Sequence, residues 1–361
     1  MYKTPKNLQM KIFTFNATED TRVELLWPLR SKNRDNIFSQ FIAENRYTEV
    51  DSIQDCDVAI YPNKAFTPET LAFDSSVYQA AQEAQAHRKP LIIDATSDSD
   101  VLLDIPWANI LRNGLYKSLE KSFETECPYW SNDRTKQGLD SLEISPKGKK
   151  PVIGFCGTTS SRGKLANLCK SIVPDAVTRK VLSQGRLSRR VDTRITEGMS
   201  LQLRETAMKI LAADSRVEVC FDVTNNRQSY YVKNESNKTA LENLFIANTD
   251  KSDYVLCVRG GGNFSGRFYM ALNAGRIPVV VDTDGVIPYE EHLHIIKVPV
   301  NSLDKLGEII TNHFATTSEQ ELQQMKRENR SAYHQLLAPE KFLPKYIRQC
   351  CNQTYRVAVS S

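Results

Sequence analysis

The sequence predicts an α/β protein with two doubly wound, Rossmann-like domains in tandem. Three observations predict it. Strands alternate with helices, the strands are short continuous apolar runs, and a polar stretch at 143–150, EISPKGKK, interrupts the alternation before it restarts. Apolar runs of this kind indicate parallel sheets covered on both faces. A chain of 361 residues is also too long for one core.

The first domain is predicted over residues 1–148. Its strands are expected at 11–15, 57–63, 90–95 and 108–116. Its helices are expected at 36–45 and 75–88, and Lys89-Pro90 ends the second of them.

The second domain is predicted over 149–330, and a helical tail at 331–361 is expected to cross back to the first domain. Strands are expected at 151–157, 217–223, 253–260 and 277–282. Helices are expected at 200–214, 238–252, 265–275, 304–314 and 318–337.

Composition narrows the function classes. The net charge of +4 is mild, and no aromatic residues lie among the charges of the basic segment 179–194. We therefore expect no nucleic-acid partner. Eight cysteines without a C-x-x-C pair indicate reduced structural thiols and no zinc. No signal-peptide core and no run long enough to span a membrane is present, so we expect a cytoplasmic protein.

The stretch RGGGNFSGRFYMALNAGRIPVVVDTD, residues 259–284, joins a strand to a helix through three glycines. Ligands of doubly wound sheets lie at the carboxyl ends of strands. Glycines 260–262 allow a close approach of backbone N–H groups, and Ser265 is a natural helix N-cap. Free N–H groups at that helix start favour phosphate, and Arg267 can add a bidentate contact. The residues therefore predict a diphosphate site that includes Arg259, Asn263 and Gly266.

Two other phosphate motifs do not fit this stretch. No G-K-[ST] follows the glycines, as a P-loop requires, and the glycines precede the helix rather than open it, which disfavours a nicotinamide site. A tight turn with a salt-bridged Arg267 stays an alternative.

The stretch YVLCVRGGGNFSGRFYMALNAGRIPVVVDTDGVIPYEE, residues 254–291, resembles the carboxyl-terminal signature of exostosin-like glycosyltransferases, with its closest match to the bacterial enzymes of surface polysaccharide synthesis. The match extends more weakly to KKPVIGFCGTTSSRGKL at 149–165 and to short pieces of the first domain. The resemblance implies a GT-B fold, with an active site in the cleft between the domains. It also implies a nucleoside-diphosphate sugar donor held by the second domain, no bound metal or tightly bound cofactor, and inversion at the anomeric carbon.

One position departs from the family pattern. The family helix usually carries a Glu that holds the nucleotide ribose, and this chain has Met270 there. A thioether accepts hydroxyl hydrogen bonds poorly. Three explanations stay open: another residue holds the ribose, the donor sits differently, or transfer has been lost.

Further candidates follow other strands. Arg162 and Lys164 follow the strand 151–157 and can meet the diphosphate or lie on a solvated loop. Asp284 is a candidate for binding acceptor hydroxyls or for capping a turn. Tyr289 is a candidate for stacking on a base or a sugar ring. The segment 179–194 is strongly basic. Three interpretations stay open for it: a solvated face, a lid over an anionic donor, or a surface attracted to acidic lipid headgroups.

The catalytic base is sought in the first domain, where the resemblance places the acceptor. Asp98 is preferred because it lies past a strand end. The other candidates are Asp20, Asp94 and Asp100.

We therefore expect a glycosyltransferase that moves a sugar from a nucleoside-diphosphate sugar to a glycan or lipid-linked acceptor, with peripheral membrane contact left open. The alternatives are a GT-B-fold module that binds nucleotide or glycan without transfer, and a nucleotide-sugar epimerase.

Overall fold

The structure is a computed structural model. It describes residues 9–15, 41–61, 65–67, 72–161, 163–224 and 235–359. Arg162 and Asp20, both named as candidates from the sequence, lie outside the described residues, as do residues 36–40 of the helix expected at 36–45, whereas residues 41–45 are helical.

The first sheet belongs to the amino-terminal half of the chain. Its strands are β1 (Met10–Thr14), β2 (Tyr47–Glu49), β3 (Val58–Tyr61), β6 (Leu91–Asp94), β7 (Asn109–Arg112) and β8 (Glu124–Glu126). A short antiparallel hairpin, β4 (Phe66–Thr67) with β5 (Ala72–Phe73), lies outside it. Besides the helical residues 41–45, its described helices are α1 (Ser75–Ala86) and α2 (Asp133–Asp140). The strands pair in parallel in the order β2-β1-β3-β6-β7-β8.

The second sheet follows the linker. Its strands are β9 (Val152–Gly157), β10 (Glu218–Val223), β11 (Tyr254–Cys257), β12 (Ile277–Asp282) and β13 (Ile296–Pro299). They pair in parallel in the order β10-β9-β11-β12-β13. The winding direction reverses between β9 and β11, which is the switch point where doubly wound sheets bind ligands.

Helices cover both faces of the second sheet. They are α3 (Lys164–Ile172), α4 (Asp175–Leu182), α5 (Gly185–Ser188), α6 (Thr193–Ala213), α7 (Glu235–Asp250), α8 (Gly266–Asn273), α9 (Leu306–Thr316) and α10 (Glu319–Ala332). A π-helical turn, Tyr333–Leu337, joins α10 to α11 (Pro339–Val359). None of the described helices is long and apolar enough to cross a membrane.

The last helix packs on the first sheet. Phe342, Tyr346 and Ile347 of α11 share one buried cluster with Ile12 and Val58 of β1 and β3. The Trp130 indole donates to the Leu337 carbonyl at 2.7 Å, at the point where the chain crosses between the domains. The chain therefore returns to the domain in which it begins.

The carboxyl ends of the two sheets face each other. Leu115, after β7, accepts a backbone hydrogen bond from Val286, after β12, at 3.0 Å. Lys117 donates to the Asp284 carbonyl at 2.8 Å, and Tyr116 forms an isolated bridge with Gly285. These contacts form a seam between the domains at the edges where ligands of both sheets would bind.

The prediction of two Rossmann-like domains is confirmed, and the predicted strands that fall in described residues are all present. The exact domain boundaries stay a prediction. The sequence reading missed β2, β8 and β13, and it extended α10 through the π-helical turn. The basic segment 179–194 lies in α4, α5 and the start of α6. The eight cysteines all lie in described residues and form no disulfide there, and seven of them are buried.

Candidate functional site

The glycine loop lies next to the switch point of the second sheet. It follows β11, and the Gly260 amide donates to the Phe264 carbonyl at 3.0 Å, which closes the turn. The loop can approach its neighbours closely because a Cβ at Gly260 would lie 3.3 Å from a guanidinium nitrogen of Arg204. A Cβ at Gly262 would lie 2.9 Å from the Phe264 ring. A side chain at 262 would displace the Phe264 ring, and one at 260 would require a small shift of Arg204.

Ser265 is the N-cap residue of α8, in an extended conformation with φ −131° and ψ 115°. Its side chain makes no capping hydrogen bond, which differs from the capping role expected from the sequence. Its Oγ atom is nevertheless buried and has no hydrogen-bond partner among the described residues. A buried hydroxyl without a partner is unfavourable unless something else satisfies it. The start of α8 therefore has a polar atom ready for an anionic oxygen.

Arg267 lies across the carboxyl end of β9. Its Nε donates to the Cys156 carbonyl at 2.8 Å, and its guanidinium carbon is 4.3 Å from the centre of the Phe155 ring. A Cβ at Gly157 would lie 3.0 Å from that carbon. The absence of a side chain at 157 therefore makes room for the guanidinium. Arg267, Ser265 and the start of α8 together bracket the switch point.

Arg204 is a buried residue of this region that the sequence reading did not single out. It lies on α6, is 7% exposed, and donates to the carbonyls of Arg259 at 3.1 Å and Thr158 at 3.0 Å. It thus ties together the chain leaving β9 and the chain leaving β11. The available signal was its position on the buried stripe of the helix, at i−3 and i−7 from Ala207 and Leu211.

Arg259 does not face open space. It is 2% exposed, and one terminal nitrogen donates to the Tyr116 hydroxyl at 3.2 Å, to Ser188 Oγ at 3.2 Å and to Asn263 Oδ1 at 3.1 Å. Its Nε atom is buried with no partner among the described residues. The side chain joins the first domain, α5 and the glycine loop, so it supports the seam rather than lining the predicted phosphate site.

Asn263 also has a supporting place. Its Oδ1 accepts from Thr283 Oγ1 at 2.8 Å, and its Nδ2 donates to the Leu115 carbonyl at 3.4 Å. A Cβ at Gly114 would lie 2.7 Å from the Asn263 backbone nitrogen, so the first domain closes tightly on this part of the loop. The Asn263 side chain thus contacts the first domain, and its expected ligand contact stays a prediction.

Asp284 and Tyr289 likewise lie in the seam. Asp284 has φ 65°, and its carboxylate accepts from the amides of Ser118 at 3.2 Å and Gly185 at 3.3 Å and from the Ser118 hydroxyl. It therefore caps the start of α5 and of a 3₁₀ helix at Lys117–Leu119, rather than the next turn of its own segment. The Tyr289 ring is covered by Lys345 of α11, whose Nζ is 4.3 Å from the ring centre.

Asp98 lies at the seam on the first-domain side and is exposed. A Cβ at Gly261 would lie 3.1 Å from Asp98 Oδ2, and one at Gly262 would lie 3.1 Å from its Cα atom. The preferred base and the predicted phosphate loop are therefore in contact, although they are far apart in sequence. Of the other candidates, Asp94 accepts from Thr96 in a local turn, and Asp100 accepts from the Tyr116 hydroxyl at 2.9 Å.

Met270 packs among apolar side chains. It contacts the buried cluster of Leu139, Cys156, Phe245 and Ala274, where α2 and α7 meet α8. Met270 is only partly buried, so a carboxylate here would lose part of its hydration, which is a physical reason for Met at this position.

Tyr129 of the first domain bounds the start of α8. A Cβ at Gly266 would lie 2.8 Å from two carbons of the Tyr129 ring, and that ring is 6.0 Å from the ring of Phe264. Gly266 thus lets the first domain reach the helix start. Tyr129 is a wall of the site that the sequence reading did not assign.

No family model and no curated protein matches the sequence. Solved structures do align along nearly the whole chain. HepE from Anabaena, in complex with UDP and glucose, aligns with 11% identity and a TM-score of 0.39, covering 98% of this chain and 100% of that one. A glycosyltransferase from Rickettsia africae aligns with 8% identity and a TM-score of 0.39, covering 95% of this chain and 98% of that one.

The glycosyltransferase AviGT4 of avilamycin A biosynthesis aligns with 10% identity and a TM-score of 0.36, covering 96% of this chain and 98% of that one. Likeness at such low identities and TM-scores carries no argument about the chemistry of this chain.

Proposed function

We propose that the protein is a glycosyltransferase that transfers a sugar from a nucleoside-diphosphate sugar to a glycan or lipid-linked acceptor. The observation that carries the proposal is the pair Ser265 and Arg267 at the start of α8. A guanidinium and a buried hydroxyl that has no hydrogen-bond partner in the described part of the chain lie beside a helix N-terminus, at the switch point of a doubly wound sheet. The resemblance of 254–291 to exostosin-like enzymes, of the bacterial surface-polysaccharide type, supports the same function.

The proposed donor site uses the charge of the diphosphate. Ser265 Oγ donates to a phosphate oxygen, and the α8 amides and Arg267 stabilise negative charge. That charge grows when the bond between the sugar and the diphosphate breaks, so the same groups stabilise the transition state more than the bound donor.

The proposed reaction is a single displacement. The acceptor oxygen attacks the anomeric carbon as the bond from that carbon to the diphosphate breaks. The electron pair of the broken bond leaves with the diphosphate, and the acceptor proton passes to the Asp98 carboxylate. The contact of Asp98 with the glycine loop supports this assignment, because base and donor phosphates must lie close together. The configuration inverts, since attack and departure occur on opposite faces.

Titration calorimetry against nucleoside diphosphates and their sugars tests the donor site. We expect one nucleotide to bind, and Arg267→Ala to weaken it by about 10- to 100-fold, since a hydrogen bond to a charged group contributes roughly 1.5–3 kcal/mol. Arg327→Ala is the matched control, because Arg327 is exposed on α10 and bonds only within that helix among the described residues. If the folded protein binds no nucleotide, the proposal is wrong.

A second candidate is a module that binds nucleotide without transferring sugar. Met270 favours this candidate, because it offers the ribose no carboxylate and packs in an apolar cluster. The two functions separate in an assay of nucleoside-diphosphate release with and without acceptor glycans. The transferase releases nucleotide, and Asp98→Asn abolishes release while binding persists. The exposed Asp51→Asn serves as the matched control. The module binds and releases nothing.

A further inference from the structure

The exposed face of α3 is apolar. Leu165, Leu168 and Ile172 are 38%, 54% and 64% exposed, and Val177 at the start of α4 is 44% exposed. The spacing i, i+3, i+7 places the first three on one side of α3. We call these four side chains the apolar stripe. Isolated exposed apolar residues are ordinary, but neighbouring ones on a single face indicate a surface that contacts something.

The stripe is not an unfilled part of the core. α3 packs on α6 through its opposite face, where Ala166 and Cys169 are buried. Gly198 of α6 permits this close packing, since a Cβ there would lie 3.0 Å from the Cys169 Cβ. The helix has therefore already buried one apolar side, and the stripe is a second one that points outward.

The segment of the chain that carries the stripe is strongly basic. The segment 162–194 contains nine basic residues and two acidic ones, a net charge of +7, whereas the whole chain carries +4 and the remainder therefore −3. Three of the basic residues are neutralised: Lys170 by Glu205, Arg179 by Asp175 and Asp304, and Arg194 by Asp192.

Other basic residues of the segment are exposed. They include Lys164, Lys180, Arg186 and Arg190, which make no ion pair with another described residue. We call these four the basic rim.

We propose that the apolar stripe and the basic rim form a docking surface for an anionic phospholipid membrane. The stripe enters the boundary between headgroups and acyl chains, while the rim contacts lipid phosphates. This arrangement of an apolar face beside cations is the one that holds helices flat in a membrane surface. The proposal does not depend on sugar transfer.

Charge argues against a second copy of this chain as the occupant. A two-fold dimer through this face would bring two segments of net charge +7 together. Like charges at such an interface repel, whereas an anionic bilayer attracts both the rim and, through its acyl region, the stripe.

Vesicle sedimentation with the full-length protein tests the surface. The vesicles are phosphatidylcholine alone and phosphatidylcholine mixed with phosphatidylglycerol. We expect binding to the mixed vesicles only, weakening as salt is added. Leu168→Ser with Ile172→Ser should lower the partition coefficient at least about 10-fold. Lys180→Glu with Arg186→Glu should lower it at least about 25-fold, since one cation near the surface contributes about a factor of five.

Matched controls come from α7, which carries the exposed Leu244 and Lys238. Leu244→Ser and Lys238→Glu should bind like the wild type. All of the changed side chains are exposed, so thermal unfolding should be unaltered, and Lys180→Glu alone remains informative if a double variant fails to fold.

Three results would overturn the proposal. The first is no binding to the mixed vesicles, or equal binding to both kinds. The second is unchanged binding by the stripe and rim variants. The third is a wild-type dimer in analytical ultracentrifugation that Leu168→Ser with Ile172→Ser dissociates, because it would assign the face to a second copy.

Discussion

Gly157→Ala should destabilise the protein by displacing Arg267. A Cβ at this position would lie 3.0 Å from the guanidinium carbon and 3.1 Å from Nε, so the side chain must leave its place. It then loses the 2.8 Å hydrogen bond to the Cys156 carbonyl and the contact with the Phe155 ring. A hydrogen bond from a charged donor contributes roughly 1.5–3 kcal/mol and a cation–π contact roughly 0.5–1 kcal/mol. The displaced Arg267 side chain should therefore lower the free energy of unfolding by about 2–4 kcal/mol, in addition to the backbone strain of an alanine at φ 156°.

Urea unfolding measures this loss, with Gly148→Ala as the control. A Cβ at Gly148 would meet nothing closer than 3.5 Å. A double-mutant cycle then isolates the part due to Arg267, because Gly157→Ala should cost about 2–4 kcal/mol less once Arg267 is already Ala, which leaves only the backbone strain of a Cβ at φ 156°. The reasoning fails if Gly157→Ala resembles the control, or if its effect is the same with and without the Arg267 side chain.

Three further changes test other parts of the structure. Met270→Glu should lower the free energy of unfolding, measured in urea, by roughly 1–3 kcal/mol, because it places a charge in an apolar cluster. Met270→Leu should be nearly neutral. Equal stability of the two variants would contradict that packing. Arg204→Leu should reduce both stability and nucleotide affinity, since two strand-end carbonyls lose their donor; unchanged affinity in calorimetry would separate Arg204 from the site. Burial lowers the pKa of His313, so the unfolded chain binds the proton at a higher pH than the folded protein does. Stability should therefore fall as the pH drops through about 6.5. A urea midpoint that does not change there, or that changes equally in His313→Gln, would disprove the assignment.

The strands and the glycine loop could be predicted because their signals are local. An apolar run that ends in glycine predicts a strand end without knowledge of the rest of the chain. Arg267 was singled out because it follows the glycine loop at the start of a predicted helix. Its contact with Gly157 was not predicted, because it depends on β9 and β11 being neighbours in the sheet.

The roles of Arg259, Asn263 and Asp284 could not be predicted, because their partners are distant in sequence. Arg259 is 143 residues from Tyr116, and Asp284 is 166 residues from Ser118. A polar residue beside a glycine loop looks the same in sequence whether it meets a ligand or the other domain. A ligand contact and a contact between domains can be distinguished only once the arrangement of the two sheets is known.

The strand β8 was missed because it carries two glutamates, which are ordinarily surface residues. Both are buried here. Glu124 pairs with Arg112 at 3.4 Å, and Glu126 accepts the amides of Gly114 and Leu115 at 2.9 and 2.8 Å. Partners distant in sequence thus allow these glutamates to lie in a buried strand. The Glu126 contacts are made at the turn of Gly114, which packs against Asn263.

A structure of the protein with its donor nucleotide would test the proposed diphosphate site most directly. We predict phosphate oxygens within hydrogen-bond distance of Ser265 Oγ and of the Arg267 guanidinium, at the start of α8, with Arg259 still buried in the seam. A nucleotide bound elsewhere, with Ser265 and Arg267 unchanged in their contacts, would contradict the proposed site.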